Sequence, residues 1–198
     1  MHRLVQFHAI ARMSALVSGP PTFGVNPPHN GNLSAHLLTA LCGNLAEHTS
    51  TEGSCWFCLW NGYGWMHGGL ATSTMVFASQ DEISGGIGEH SVLPGLRPEI
   101  LKGPKVSLPR REYFLFNGPL EAARELGWTR PWSFSSQSPN LFWPQDHAWC
   151  VGTELDLFCT LVAGSEKLAA ALVADSQLEA WRVFPGDAIA WDSDKVNA

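Results

Sequence analysis

Leu33, Leu37, Leu41 and Leu45 recur every four residues, and Leu38 and Cys42 widen the apolar stripe. This spacing predicts an amphipathic helix ending near His48. Asn32 or Ser34 can cap its start by accepting from orphan backbone N–H groups, and Gly43 costs it roughly 1 kcal/mol relative to alanine. Ser54 to Trp60 is dense in β-formers and apolar on both faces, as suits a central strand. Asn61-Gly62 follows and predicts a hairpin through Tyr63-Gly64-Trp65. Tyr113 to Phe116 predicts a second strand, and Pro119 launches a short helix from Leu120 to Leu126, with Gly127 just past its end. From Trp149 the odd positions Trp149, Val151, Thr153, Leu155, Leu157, Cys159 and Leu161 alternate with Cys150, Gly152, Glu154, Asp156, Phe158, Thr160 and Val162. Read as one strand, this run buries its odd face and sets Glu154 and Asp156 together on the other. Ser165 then caps a helix through Leu168, Leu172 and Val173, and a last strand is predicted near Ala180 to Phe184. Short helices among strands that mix hairpin turns with crossovers predict an α+β fold, with a mixed or mainly antiparallel sheet flanked by helices.

The pattern is weaker elsewhere. Leu4, Phe7, Ile10, Met13 and Leu16 fall at helical spacing and predict an N-terminal amphipathic helix; a signal peptide or a misassigned translation start is the alternative. Gly19-Pro20-Pro21 and Asn26-Pro27-Pro28 bracket an extended linker. Residues 1–31 are therefore read as helix plus linker, and 32–198 as a single α+β domain. Glycine and proline punctuate the chain from Gly68 onward, which predicts an irregular insertion at about 68–111.

Composition narrows the functional classes. With 198 residues, 45% hydrophobic and 15% charged, the chain is globular and fits one domain. A formal charge of −6 argues against a nucleic-acid binder. Leu4 to Val17 is too short and too polar for a membrane span. The charges are segregated: no Lys or Arg occurs between Met13 and Leu96, and Arg97, Lys102, Lys105, Arg110 and Arg111 then arrive together. The C-terminal third is acidic, so the two regions either neutralise each other or the basic one binds an anion. Five cysteines, an odd number, point to free thiols in a reducing compartment, hence a soluble cytoplasmic protein.

Chemistry-bearing motifs are sparse. Cys55-x-x-Cys58 lies inside an apolar strand, where the two thiols face opposite sides, so a structural role is expected and neither metal nor redox function. The eight histidines form no metal-binding pair, the glycines of Gly85-x-Ile87-Gly88 lack the Lys-Ser/Thr of a phosphate loop, and no cofactor motif is present. The best constellation is Asp146, His147, Glu154 and Asp156, with Trp143 and Trp149 alongside. Two acids at i and i+2 of one strand would raise one another's pKa if buried. Glu154 and Asp156 are thus the candidate catalytic acids and His147 a candidate proton carrier. The alternatives are that the acids face solvent or pair with basic residues, or that all six residues form a ligand or partner site. The loop Pro139 to Asp146, aromatic with amides and an acid, either plugs the end of the sheet or binds a sugar or a protein.

Three segments together resemble a bacterial protein family to which no activity is attached: Ser138-Pro139-Asn140-Leu141-Phe142-Trp143-Pro144-Gln145-Asp146-His147-Ala148-Trp149-Cys150-Val151-Gly152-Thr153-Glu154-Leu155-Asp156, Cys55 to Trp65, and Tyr113 to Pro119. The resemblance covers about half of the chain and implies no catalytic residue. The expectation is a protein that binds a small molecule or a protein partner. An enzyme using Glu154 and Asp156, or an immunity-type interaction protein, are the alternatives.

Overall fold

The computed structural model describes residues 30–67, 96–130, 133–156 and 159–187. The predicted N-terminal helix, most of the predicted insertion and the end of the chain lie outside these residues. The elements in order are α1 (Ala35–Ala46), β1 (Cys55–Trp60), a 3₁₀ turn (Gly64–His67), α2 (Pro98–Leu101), β2 (Lys105–Leu108), β3 (Arg111–Gly118), a 3₁₀ helix (Leu120–Arg124), β4 (Gly127–Arg130), β5 (Ser133–Ser136), β6 (Leu141–Pro144), β7 (Trp149–Thr153), β8 (Thr160–Gly164) and α3 (Glu166–Ala174). Six strands form a sheet in the order β2-β3-β1-β6-β7-β8, and β4 pairs with β5. The register is antiparallel at β2–β3, β6–β7 and β7–β8. The fold is α+β, with a mostly antiparallel sheet.

The chain forms two compact units. One takes the described residues up to Phe57, Asn117–Leu126 and those from Ser136 on; the other takes Cys58–Phe116 and Gly127–Ser135. In the first, α1 buries Leu38, Leu41, Cys42 and Leu45 against the 3₁₀ helix and α3. Leu33 and Leu37 are only half-buried, because the stripe follows 3.6 rather than four residues per turn and its centre drifts to Leu38. Phe57 stacks on Phe142 at 6.1 Å between centroids, and Phe142 meets Trp149 edge-on at 5.7 Å. Trp149 is 2% exposed, and its indole N–H donates to the Leu45 carbonyl at 3.0 Å. Trp149 therefore ties β7 to the last turn of α1, satisfying the polar handle that makes a tryptophan hard to bury. Ser165 caps α3 as expected, accepting from the Leu168 N–H at 3.2 Å. Ser34 occupies the N-cap of α1, yet makes no cap bond; its hydroxyl meets His36 Nδ1 instead.

The segment before β6 is a polar clasp rather than a plain plug. Gln137, Ser138 and Asn140 are buried, and each finds a partner, as burial demands. Gln137 donates to the Gly31 carbonyl at 2.9 Å, and the Asn140 amide reaches the same oxygen at 3.5 Å. Ser138 Oγ accepts from the Leu33 N–H at 2.8 Å, and Asn32 Oδ1 accepts from the Ser138 N–H at 2.8 Å. Gly31 sits at φ +67°, and a Cβ there would lie 2.6 Å from Leu155. Both facts require glycine.

The second unit is built on aromatic rings. Trp60, Tyr63, Trp65 and Trp128 succeed one another at centroid distances of 5.4, 6.2 and 5.2 Å, and the Arg111 guanidinium lies over Trp60 at 5.7 Å. Lys105 and Asn61 both donate to Glu112 Oε2 at 2.8 Å. The Lys105 contact is the larger cause that holds the Glu112 carboxyl below its ordinary range.

Several expectations need correction. Asn61-Gly62 leads not into a hairpin but into the 3₁₀ turn Gly64–His67, where Trp65 and Met66 are buried. The predicted helix after Pro119 is 3₁₀ and ends at Arg124. The region expected to be irregular contains β2, paired with β3 from Lys105↔Phe114 to Leu108↔Arg111. The loop read from Pro139 to Asp146 contains strand β6. No strand forms at Ala180–Phe184, although Trp181 and Val183 flank Arg182 in an alternating pattern. Trp181, Val183 and Phe184 stay exposed, and Arg182 is ion-paired to Glu166 of α3.

The largest correction concerns the long alternating run. It is two strands, β7 and β8, folded back on each other with Thr153↔Thr160 and Trp149↔Gly164 in register. This pairing sets odd positions of β7 opposite even positions of β8. The face lined by Trp149, Val151 and Thr153 thus continues through Val162, while Leu161 falls on the opposite face and is 39% exposed. A period of two survives a hairpin, so alternation could not distinguish one strand from two.

Candidate functional site

The acids and the histidine of the predicted site occupy the two ends of β7. At one end, Asp146 sits in the turn after β6 and is exposed, yet its carboxylate is saturated. Thr49 Oγ1 donates to both oxygens at 2.9 Å, the Ser50 N–H and hydroxyl donate to Oδ2 at 2.8 and 2.9 Å, and the Ala148 N–H donates to Oδ1 at 3.1 Å. In return Thr51 Oγ1 accepts from the Asp146 N–H at 3.0 Å. The Ser50 amide is the largest cause that holds this carboxyl far below the ordinary aspartate range; the Ala148 amide and the Thr49 and Ser50 hydroxyls add to it. Every one of these bonds favours the charged form. Asp146 joins the turn after α1 to the turn before β7. The adjacent His147 has φ +56°, a left-handed conformation that histidine tolerates better than most residues, and its side chain is exposed.

At the other end, Glu154 and Asp156 lie in the connection between β7 and β8, not on a strand. Glu154 is half-buried and Asp156 exposed, and Glu154 Oε1 accepts from the Asp156 N–H at 3.4 Å. The five residues of β7 span about 13 Å at roughly 3.3 Å per residue. The structure therefore brings Asp146 and His147 together, and Glu154 and Asp156 together, but does not bring the two pairs together. His147 is out of hydrogen-bond reach of Glu154 and Asp156. Trp149, between the pairs, belongs to the core.

Trp143 alone among the six predicted residues lies on the outer face of the sheet. Phe142 and Val151 pair on the inner face, and Leu141 pairs with Gly152 on the other. By alternation, Trp143, Cys150, Leu161 and Ala163 share that outer face with Leu141. Leu141, Trp143 and Cys150 are half-buried, and Leu161 and Ala163 exposed. No charged side chain belongs to this stretch of β6, β7 and β8. In a two-layer α+β domain the solvent side of a sheet normally alternates to polar residues; here it stays apolar. Trp56 of β1 is also half-buried, and its indole donates to Gln145 Oε1, next to Pro144, at 2.8 Å. Sequence reasoning misses Trp56 because the strand reads as apolar throughout. Its signal is the alternation of Cys55, Phe57 and Leu59, buried, with Trp56 and Trp60, half-buried.

Other chemistry finds little to work with among the described residues. The five thiols are free; burial pushes Cys42 up to about 12 and Cys55 up to about 11, which leaves them protonated and weakly nucleophilic. No group of three or more His, Cys, Asp or Glu among the described residues could hold a metal ion, and no helix among them is long and apolar enough to cross a membrane. A shallow polar groove lined by Thr39, Gly43, Asn44, Glu47, Asp175 and Gln177 is crossed by the Asn44 amide donating to Asp175 at 2.7 Å. No protein-family model, curated protein or solved structure matches the chain.

Proposed function

We propose that the chain is a binding protein that engages a macromolecular partner through the apolar outer face of β6, β7 and β8. The observation that carries this reading is the composition of that face: Leu141, Trp143, Cys150, Leu161 and Ala163, half-buried to exposed, without a charge among them. Contiguous apolar surface of this kind marks interaction sites, and tryptophan is among the residues most enriched at the energetic centre of protein interfaces. A face made by strand side chains is flat, which suits a protein surface better than a small molecule, whose sites are concave. The separation of His147 from Glu154 and Asp156 leaves the enzymatic reading without a working set of groups.

The test uses the full-length chain as bait against an extract of its source cells, comparing wild type with Trp143→Ser. The expected result is a stoichiometric partner retained by the wild type and lost, or weakened at least tenfold, by the variant, with the melting temperature preserved. Retention of the same proteins by both forms would overturn the assignment of this face.

A further inference from the structure

The two edges of the six-stranded sheet are unlike. At one, β2 begins with Lys105, is preceded by Pro104 and followed by Pro109, and Lys105 is held by Glu112. Proline and lysine are the devices by which natural sheets block further pairing, since proline lacks the donor N–H and a lysine carries its charge to the edge. At the other, β8 reads Thr160-Leu161-Val162-Ala163-Gly164, with neither proline nor charge from Cys159 to Ser165. Leu161, Ala163 and Gly164 are exposed, and β7 is the strand to which β8 is bonded. Alternate residues of an antiparallel edge turn their N–H and C=O groups outward. Left in water these groups form a template for another strand.

We propose that β8 pairs antiparallel with β8 of a second copy of this chain, giving a two-fold dimer with one continuous sheet. Two considerations select a second copy as the occupant. Antiparallel pairing of a strand with itself is self-complementary, as an isologous two-fold contact requires. The chain carries a formal charge of −6, so two copies repel except where they are locally neutral, and β8 with its flanks is such a place. The pairing also makes the apolar outer faces of the two copies continuous, with Leu161 of each nearest the junction. The inference goes beyond the partner-binding reading: it concerns the edge of β8, whereas Trp143 lies on β6, two strands away.

The experiment is sedimentation equilibrium of the full-length chain from micromolar to near-millimolar concentration, for wild type, Ala163→Lys and Trp143→Ser. The expected result is a mass rising from 21.6 kDa toward twice that value for wild type and Trp143→Ser. Ala163→Lys, which places on β8 the guard that β2 already has, should remain at the monomer mass with an unchanged far-ultraviolet circular dichroism spectrum. A wild type that stays monomeric throughout overturns the proposal, as does an Ala163→Lys chain that dimerises as well as wild type. If Ala163→Lys unfolds the chain, Leu161→Lys on the same strand decides by the same criterion. Loss of dimer in Trp143→Ser with dimer retained in Ala163→Lys would assign self-association to the outer face and likewise overturn the β8 pairing.

Discussion

The two turns that bound β7 both carry acids, and they are built on opposite terms. Asp146 enters its turn with five donated hydrogen bonds from residues 49, 50 and 148. Four of them come from residues 96 or 97 positions away in sequence. Glu154 and Asp156 meet in theirs through a local contact, the Asp156 N–H donating to Glu154 Oε1 at 3.4 Å, beyond the usual N–H···O range. An acidic residue beside an apolar strand can therefore be a fastener or simply a turn-former. What makes a fastener of Asp146 is the Thr49-Ser50-Thr51 run, which sets hydroxyl and amide donors opposite its carboxylate.

The contrast can be broken most severely by removing what lies between. Trp149→Ala should cost about 3–5 kcal/mol, the range for deleting a buried tryptophan side chain, and should release both turns at once. Urea denaturation would show it, and a midpoint within error of wild type would mean that Trp149 does not anchor β7. Asp146→Ala should have the next largest effect, a loss of several degrees in melting temperature at neutral pH. The pH dependence gives its sign. The folded carboxyl titrates below its unfolded value, so its contribution is present above about pH 4 and fades as pH falls through the folded value. Wild type should lose more stability than Asp146→Ala between about pH 4 and about pH 2, and parallel curves would show that the hydrogen bonds contribute nothing net. The smallest effect is expected from Glu154→Gln with Asp156→Asn, within about 0.5 kcal/mol of wild type, as for ordinary surface positions. A loss as large as that of Asp146→Ala would make the second turn a fastener as well.

What can be read from the sequence follows the range of the forces concerned. The helix of Leu38, Leu41, Cys42 and Leu45, the strand Cys55–Trp60 and the Ser165 cap are legible because each is written within a dozen residues. The α+β class follows from their order. The fold-back at Glu154 is not legible, because alternation is indifferent to chain reversal and no Asn-Gly or proline marks the turn. Pairing across it, Val151 against Val162, is what reveals it. The candidate site suffers with it, since placing Glu154 and Asp156 on a strand makes one constellation out of two separate turns. Trp143 is legible as a candidate from its neighbours, while Trp56 becomes one only once burial shows which face of β1 is covered.

The bond from the Asn44 amide to Asp175 joins residues 131 apart in the chain, and α1 and α3, the helices at which these residues lie, pack on one another. This bears on how the molecule is made. Helix α1 leaves the ribosome with an apolar stripe and must wait for most of the remaining sequence before its partner exists. Contacts of such separation slow folding, because loop closure has to precede any stabilisation. The interval exposes Leu38, Leu41 and Leu45 to chance encounters, the condition in which nascent chains aggregate or recruit chaperones. Yield during synthesis should therefore respond to the rate of translation between α1 and α3 even where the finished protein is indifferent to it.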